Sequence, residues 1–94
     1  MRALFDGFGE GQEDALIKDQ ETAVKYIFDI EIPVCLNMGL CYLRLGKNHE
    51  AIYYCTQALE KDYQPNEKAL YRRGVAYMNI GELKKARDDL MLAD

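Results

Sequence analysis

The chain has 94 residues, of which 49% are hydrophobic and 30% charged, as expected for one small folded domain. Its net charge of -4 argues against a sequence-independent nucleic-acid binder, because such a protein neutralises phosphates with a basic surface. We expect no membrane partner and a cytoplasmic or nuclear location, because the sequence shows no apolar run of the roughly 18 residues that span a membrane and no signal peptide.

Residues 1–31 form the least regular part of the sequence. Met1 to Phe8 is compatible with the end of a preceding helix, and the Gly-Phe-Gly-Glu-Gly stretch that follows predicts a flexible linker. Gly7, Gly9 and Gly11 do not predict a phosphate-binding loop, because they lack its spacing and its closing Gly-Lys-Ser/Thr. We predict a helix from about Asp14 to Phe28, with apolar residues broadly on one side: Ala15, Leu16, Ala23, Val24, Ile27 and Phe28.

Residues 32–66 predict a pair of antiparallel helices. The first runs from about Pro33 to Leu45, with the proline in its first turn, where a missing N–H costs nothing, and Gly46 ends it. The second runs from about His49 to Lys61, because Pro65 cannot continue it. Its apolar residues recur at helical spacing and predict one buried face, made of Ala51, Ile52, Cys55, Ala58 and Leu59.

Residues 67–94 repeat this plan, with helices from about Glu67 to Ile80 and from about Leu83 to the C-terminus. Small and aromatic residues that recur at a period of about 34 indicate helix pairs that bury their apolar faces by stacking on copies of themselves. The predicted fold class is therefore all-α, an α-solenoid of antiparallel helix pairs. Residues 35 positions apart match in five pairs: Gly39 with Gly74, Tyr42 with Tyr77, Gly46 with Gly81, Ala51 with Ala86, and Ala58 with Ala93.

Both helix pairs resemble the tetratricopeptide repeat, which has a small residue eight positions in, tyrosine at eleven, glycine at fifteen, and alanine at twenty and twenty-seven. The departures are mild: Cys35 and Leu70 replace the commonest aromatic residue at position four, Tyr63 replaces the usual proline, and the loop is one residue longer. The resemblance covers about Ile32 to Asp94. It implies a tetratricopeptide-type α-solenoid.

The layout of the whole chain is similar to the tetratricopeptide domains of immunophilin co-chaperones, which are peptidyl-prolyl isomerases. In both, an acidic insertion precedes the helix that here begins Ile-Pro-Val-Cys-Leu-Asn. The resemblance implies that residues 1–31 hold a partial first repeat with an acidic insertion or linker helix. Residues 32–66 then form one repeat, and residues 67–94 form another that is truncated at its C-terminus.

The resemblance directs attention to a concave face formed by the first helix of each repeat. Lys68 and Arg72 are four residues apart on one helical face, so they are two cations that cannot neutralise each other. Together with the Asn37 amide they suit an extended acidic peptide, because lysine and arginine bind carboxylates. Neighbouring apolar residues could hold an apolar side chain of the peptide. The full set of candidate peptide-binding residues is Asn37, Leu40, Arg44, Lys68, Tyr71, Arg72, Val75 and Asn79.

Asn37, Lys68 and Arg72 match three of the five residues of the dicarboxylate clamp of co-chaperones. That clamp binds the C-terminal Glu-Glu-Val-Asp of cytosolic heat-shock chaperones, so the resemblance implies the acidic tail of a heat-shock chaperone as partner. The other lysine and asparagine of the clamp lie on the first helix of the first repeat, which we expect this chain not to contain. The alternative is that these cations are merely solvated, on a scaffold for an unrelated protein partner.

Catalysis within this sequence is not expected. It requires a nucleophile or an acid–base pair in a pocket, but the sequence has one histidine, in a turn, no serine and two threonines. We interpret the carboxylate pairs Asp88/Asp89 and Glu10/Glu13 as solvated surface. In a parent immunophilin, isomerase activity would lie in a separate domain.

The cysteines predict neither a metal site nor a cofactor. Cys35, Cys41 and Cys55 show no ligand spacing and fall on apolar positions of the predicted helices. We therefore expect them to be buried hydrophobic residues in a reducing compartment.

Self-association is a further expectation, because solenoid repeats need neighbours and two repeats leave apolar surface uncovered at both ends. We expect a homodimer. It would form end to end through the last helix, or by exchange of the Asp14 to Phe28 segment across the glycine linker.

Overall fold

The computed structural model describes the backbone of residues 10–93 and the side chains of residues 18–93. The described backbone is helical, with no strand, which confirms the all-α class. The four helices predicted for residues 33–94 form, and apart from the start of the first one their described ends lie within one residue of those expected. The elements in chain order are α1 (Glu10–Tyr26), a π-helical turn (Ile27–Glu31), α2 (Ile32–Arg44), α3 (Asn48–Lys61), α4 (Glu67–Asn79) and α5 (Leu83–Ala93).

The helix that contains Pro33 does not start afresh there. Residues 10–44 form one continuous helical segment, since the residues flanking the π-helical turn, Tyr26 and Ile32, both keep right-handed helical dihedral angles. The break predicted between Phe28 and Pro33 is therefore wrong. The Ile32 N–H donates to the Ile27 carbonyl, five residues back, so the backbone is already wound wide when it reaches the proline. A wider turn relieves the clash that a proline ring makes inside a regular α-helix.

The prediction of a flexible linker is also wrong at its last two positions, because Glu10 and Gly11 lie inside α1. Gly7, Gly9 and the helix end expected within Met1 to Phe8 lie outside the described residues.

One helix, Lys18–Arg44, is long and apolar enough to cross a membrane by length and composition alone. The sequence was expected to contain no apolar run of membrane-spanning length, but the two helices predicted there form a single one. Within this helix Ile32 and Gly39 are buried against other helices of the protein, and Asp29 and Glu31 interrupt its apolar residues.

The helices stack as α2 on α3, α3 on α4 and α4 on α5, with α2 also touching α4. The core joins both repeats, since Ile32 of α2, Cys55 and Ala58 of α3 and Ala69 of α4 form one buried cluster. Cys55, Ala58 and Ala69 are small, and their burial indicates that the helix backbones approach closely.

Two glycines mark the tightest approaches between paired helices. A Cβ atom at Gly39 would lie 2.7 Å from the Cys55 Sγ atom, and one at Gly74 would lie 2.8 Å from the Leu90 Cγ atom. Two others, Gly46 and Gly81, end α2 and α4 with φ angles of 77° and 81°, which side chains rarely tolerate. These four positions explain the glycine pairs of the 35-residue period.

The π-helical turn belongs to the packing of the first repeat. Ile27 and Phe28 contact the buried cluster, and the Phe28 ring meets the Tyr63 ring edge to face with centroids 5.3 Å apart. An ion pair of 3.6 Å joins Glu31 to Lys61 at the end of α3. Residues 27–31 are thereby fixed to the loop between α3 and α4.

Candidate peptide-binding face

The eight candidate residues lie on α2 and α4, two neighbouring helices whose shared surface we call the α2–α4 face. The side chains that remain exposed are Asn37, Arg44, Lys68, Tyr71 and Asn79. Those that are half-buried are Leu40, Arg72 and Val75.

An open cavity of about 780 Å³ lies on this face. Five of the eight candidates line it, while Asn37, Val75 and Asn79 do not. The lining also includes four residues that the sequence analysis missed. Two of them come from α5, a second helix that the sequence analysis did not assign to the concave face. Their side chains could be placed only with the crossing of α5 over α4 known. The candidates are Leu40, Arg44, Lys68, Tyr71 and Arg72, and the missed residues are Leu43, Glu67, Leu90 and Ala93.

Arg72 joins the two helices of the face. Its Nη1 atom donates a hydrogen bond of 2.8 Å to the backbone carbonyl of Leu36 on α2. Arg72 is therefore half-buried and not simply solvated, because its side chain lies across α2 to make this bond. The bond places the guanidinium beside the residue that precedes Asn37.

Asn79 is directed to a different neighbour. Its Nδ2 atom donates a hydrogen bond of 3.0 Å to the Oδ1 atom of Asn48 in the first turn of α3. This contact links the second repeat to the first at the end of α4 opposite Lys68.

Arg73 has a structural partner that the sequence did not reveal. Its Nε and Nη2 atoms donate to the two carboxylate oxygens of Asp89 on α5 at 2.7 and 2.8 Å, and its Nη1 atom donates to the Thr56 hydroxyl on α3 at 3.2 Å. Asp89 is only 5% exposed, so the interpretation of this carboxylate as solvated is wrong, whereas Asp88 is exposed as expected. The hydrogen bond to Asp89 raises the pKa of Arg73 above its ordinary value.

The three cysteines lie in three environments. Cys55 is fully buried, Cys35 is half-buried and Cys41 is exposed, so the expectation of burial is wrong for Cys41. Burial raises the pKa of the Cys55 thiol from 9.0 to about 11, because the apolar surroundings disfavour the thiolate. Within the described residues, His, Cys, Asp and Glu form no group of three that could hold a metal ion.

Two models of the family described as Tetratricopeptide repeat match the chain, one over residues 32–62 and the other over residues 67–94. These matches coincide with the pairs α2/α3 and α4/α5. No solved structure matches the chain at a significant level.

Curated relatives extend the similarity to immunophilins. The chain is 38% identical over 111 residues to "Peptidyl-prolyl cis-trans isomerase FKBP42" of Arabidopsis thaliana, a match that covers 98% of this chain and 30% of the relative. It is 44% identical over 63 residues to "Inactive peptidyl-prolyl cis-trans isomerase FKBP6" of Homo sapiens, covering 67% of the chain and 19% of the relative. It is 43% identical over 54 residues to "Peptidyl-prolyl cis-trans isomerase FKBP4" of Homo sapiens, covering 57% and 12%. The chain thus spans less than a third of the length of each of these proteins.

Proposed function

Because this chain belongs to the tetratricopeptide repeat family, we propose that its α2–α4 face binds the acidic C-terminal peptide of a heat-shock chaperone, within an immunophilin-like co-chaperone. Repeats of this family are interaction modules and not catalysts, so the partner is a protein. The Glu-Glu-Val-Asp type of tail is the finer part of the proposal, and it depends on the charges of the face.

The face is locally basic in an acidic chain. Arg44, Lys68 and Arg72 surround the cavity, and Glu67 is the one carboxylate among its lining residues. The chain as a whole has a net charge of -4. A local excess of positive charge attracts an anionic ligand despite the overall sign, because screening limits charge interactions to about 10 Å at moderate ionic strength.

The observation that carries the proposal is that Lys68 and Arg72 line one cavity while neither forms an ion pair with a carboxylate of the described residues. The Arg72 bond to Leu36 uses a carbonyl and leaves the positive charge uncompensated. Beside the two cations, Leu40, Leu43 and Tyr71 offer apolar contact. Carboxylates next to an apolar side chain, as in Glu-Glu-Val-Asp, match this combination.

We predict that Lys68→Glu weakens binding of an acetylated peptide ending in Glu-Glu-Val-Asp by about 2 kcal/mol, roughly thirtyfold in dissociation constant, because a carboxylate then faces a carboxylate. Lys68 is exposed and makes no described hydrogen bond, so helicity is expected to be unchanged. Isothermal titration calorimetry measures the affinity, and circular dichroism checks the fold.

Lys84→Glu is the matched control, because Lys84 is also exposed and lies on α5 outside the cavity. An equal loss of affinity in both variants would mean that the effect comes from the net charge alone. Unchanged affinity in Lys68→Glu would reject the acidic tail as the ligand. The alternative function, a scaffold for an unrelated protein partner, would then be favoured.

A further inference from the structure

The contact between the two repeats provides a template for a second contact of the same kind. Where α4 lies on α3, Ala69 packs with Cys55 and Ala58, and all three are 0% exposed. Beside them, Arg73 on α4 donates to the Thr56 hydroxyl on α3. These residues define the two sides of the inter-repeat interface. One side is the second helix of a repeat, here α3, and the other is the first helix of the next repeat, here α4.

The 35-residue period assigns an equivalent to each of these residues. On the receiving side, Cys55, Thr56 and Ala58 correspond to Leu90, Met91 and Ala93 of α5. On the opposite side, Ala69 and Arg73 of α4 correspond to Val34 and Met38 of α2.

Both equivalent surfaces are only partly covered among residues 10–93, since Met38, Leu90 and Ala93 are half-buried. Met91 on α5 is 70% exposed and Val34 on α2 is 52% exposed, whereas Ala69, at the position of Val34, is buried. An apolar groove of about 390 Å³ runs along α5 beside Met91 and Leu90. The exposed surface of α5 therefore corresponds to the α3 side of the internal interface. The exposed surface of α2 corresponds to its α4 side.

We propose that copies of this chain stack head to tail, with α2 of one copy lying on α5 of the next in the register in which α4 lies on α3. The residue chemistry matches this occupant. The polar pair Arg73 and Thr56 of the internal interface is replaced at the equivalent positions by Met38 and Met91, two apolar side chains that would meet. Val34 would insert against Leu90 and Ala93, as Ala69 does against Cys55 and Ala58.

A head-to-tail assembly differs from an isologous dimer in its stoichiometry. The two surfaces lie on different helices of one chain, so each copy that binds leaves one surface free. A heterologous interface of this kind extends into open assemblies unless the rotation closes into a ring. Association should therefore continue beyond the dimer as concentration rises.

Sedimentation velocity of the full chain from about 5 to about 300 µM tests this, over a range where weak heterologous association becomes visible. Species larger than dimers are expected for the wild type. Met91→Lys should raise the apparent dissociation constant at least about tenfold, because a charge would be buried against Met38 of the next copy. Asp88→Lys is the matched control: Asp88 is exposed on the same helix, and its equivalent Tyr53 stays exposed beside α4, so association should be unchanged.

Mixing two variants gives the decisive result. Val34→Glu disables one surface and Met91→Lys the other, so each variant alone should be monomeric, while an equimolar mixture should form 1:1 dimers and nothing larger. Each position is exposed, and circular dichroism verifies that both variants keep the wild-type helicity. Wild-type monomers at the highest concentration would overturn the proposal. So would a Val34→Glu variant that still self-associates, since a tail-to-tail dimer through α5 predicts that outcome.

Discussion

Cys55 is a residue whose acid–base chemistry changes on folding. Its thiol pKa rises from 9.0 to about 11 in the folded chain, because the side chain is fully buried. The folded state therefore favours the neutral thiol. The resulting stabilisation is fully present below about pH 9, the pKa of an ordinary thiol, and is lost as pH rises toward 11.

We predict that the free energy of unfolding of the wild type falls by up to about 2 kcal/mol more between pH 8 and pH 10.5 than that of Cys55→Ala. Urea titrations at both pH values measure the difference. Cys41→Ala is the control, because Cys41 is exposed, and it should keep the wild-type pH dependence. Equal pH dependence in the wild type and Cys55→Ala would contradict the argument.

The neighbouring residues Arg72 and Arg73 show what the sequence could and could not predict about the site. The four-residue spacing of Lys68 and Arg72 predicted that they share one face of α4, and both line the same cavity. Arg73 points to another side of the helix, where Asp89 and Thr56 bind it. Helical periodicity assigns faces, but which long side chain meets which partner depends on how α3, α4 and α5 cross.

At the scale of helices, α5 is held on α4 by small residues. Ala86 is 3% exposed, and Gly74 of α4 leaves no room for a Cβ atom beside Leu90. Tight packing of this kind tolerates little added volume.

We predict that Ala86→Leu lowers the free energy of unfolding by about 1 to 3 kcal/mol, because three extra carbon atoms must push α4 and α5 apart. Urea denaturation monitored by circular dichroism measures this loss. Lys84→Leu adds a leucine at an exposed position of the same helix and should leave stability nearly unchanged. An unaltered midpoint for Ala86→Leu would mean that the position is not at the helix crossing.

The helices of the two repeats were predictable because the glycines, Pro65 and the apolar period all agree there. Asn66 caps α4 by accepting a hydrogen bond from the Ala69 N–H at 3.0 Å. The continuity of α1 with α2 was not predictable by the same rules. A proline usually marks a helix start, and only the π-helical turn before Pro33 allows the helix to run through it.

At the scale of the whole molecule, α1 differs from the stacked helices. Every side chain from Lys18 to Tyr26 is exposed, whereas Ala51, Cys55 and Ala58 of α3 are fully buried. Helical segments without buried contacts open at little cost, because most helix stability in proteins comes from packing.

We predict that backbone amides of residues 18–26 exchange with deuterium at least about a hundredfold faster than those of residues 51–58. Hydrogen exchange with mass spectrometry on the full chain at about 5 µM, where stacking is weakest, measures both segments in one sample. The α4 peptides provide an internal reference for the stacked helices. Equal protection of residues 18–26 and 51–58 would show that α1 is held by contacts outside the described residues.

The bond from Arg72 to the Leu36 carbonyl also bears on what a ligand must supply. A free arginine side chain samples many rotamers, and fixing it on binding costs about 0.5–1.5 kcal/mol. Here one donor of the guanidinium is held 2.8 Å from α2 in the unliganded chain, so most of that conformational freedom is lost during folding. The remaining donors would be presented at a fixed position to a carboxylate of the proposed acidic peptide. The entropy lost in ordering the Arg72 side chain would then lower the free energy of unfolding of the repeats and not the affinity for the ligand.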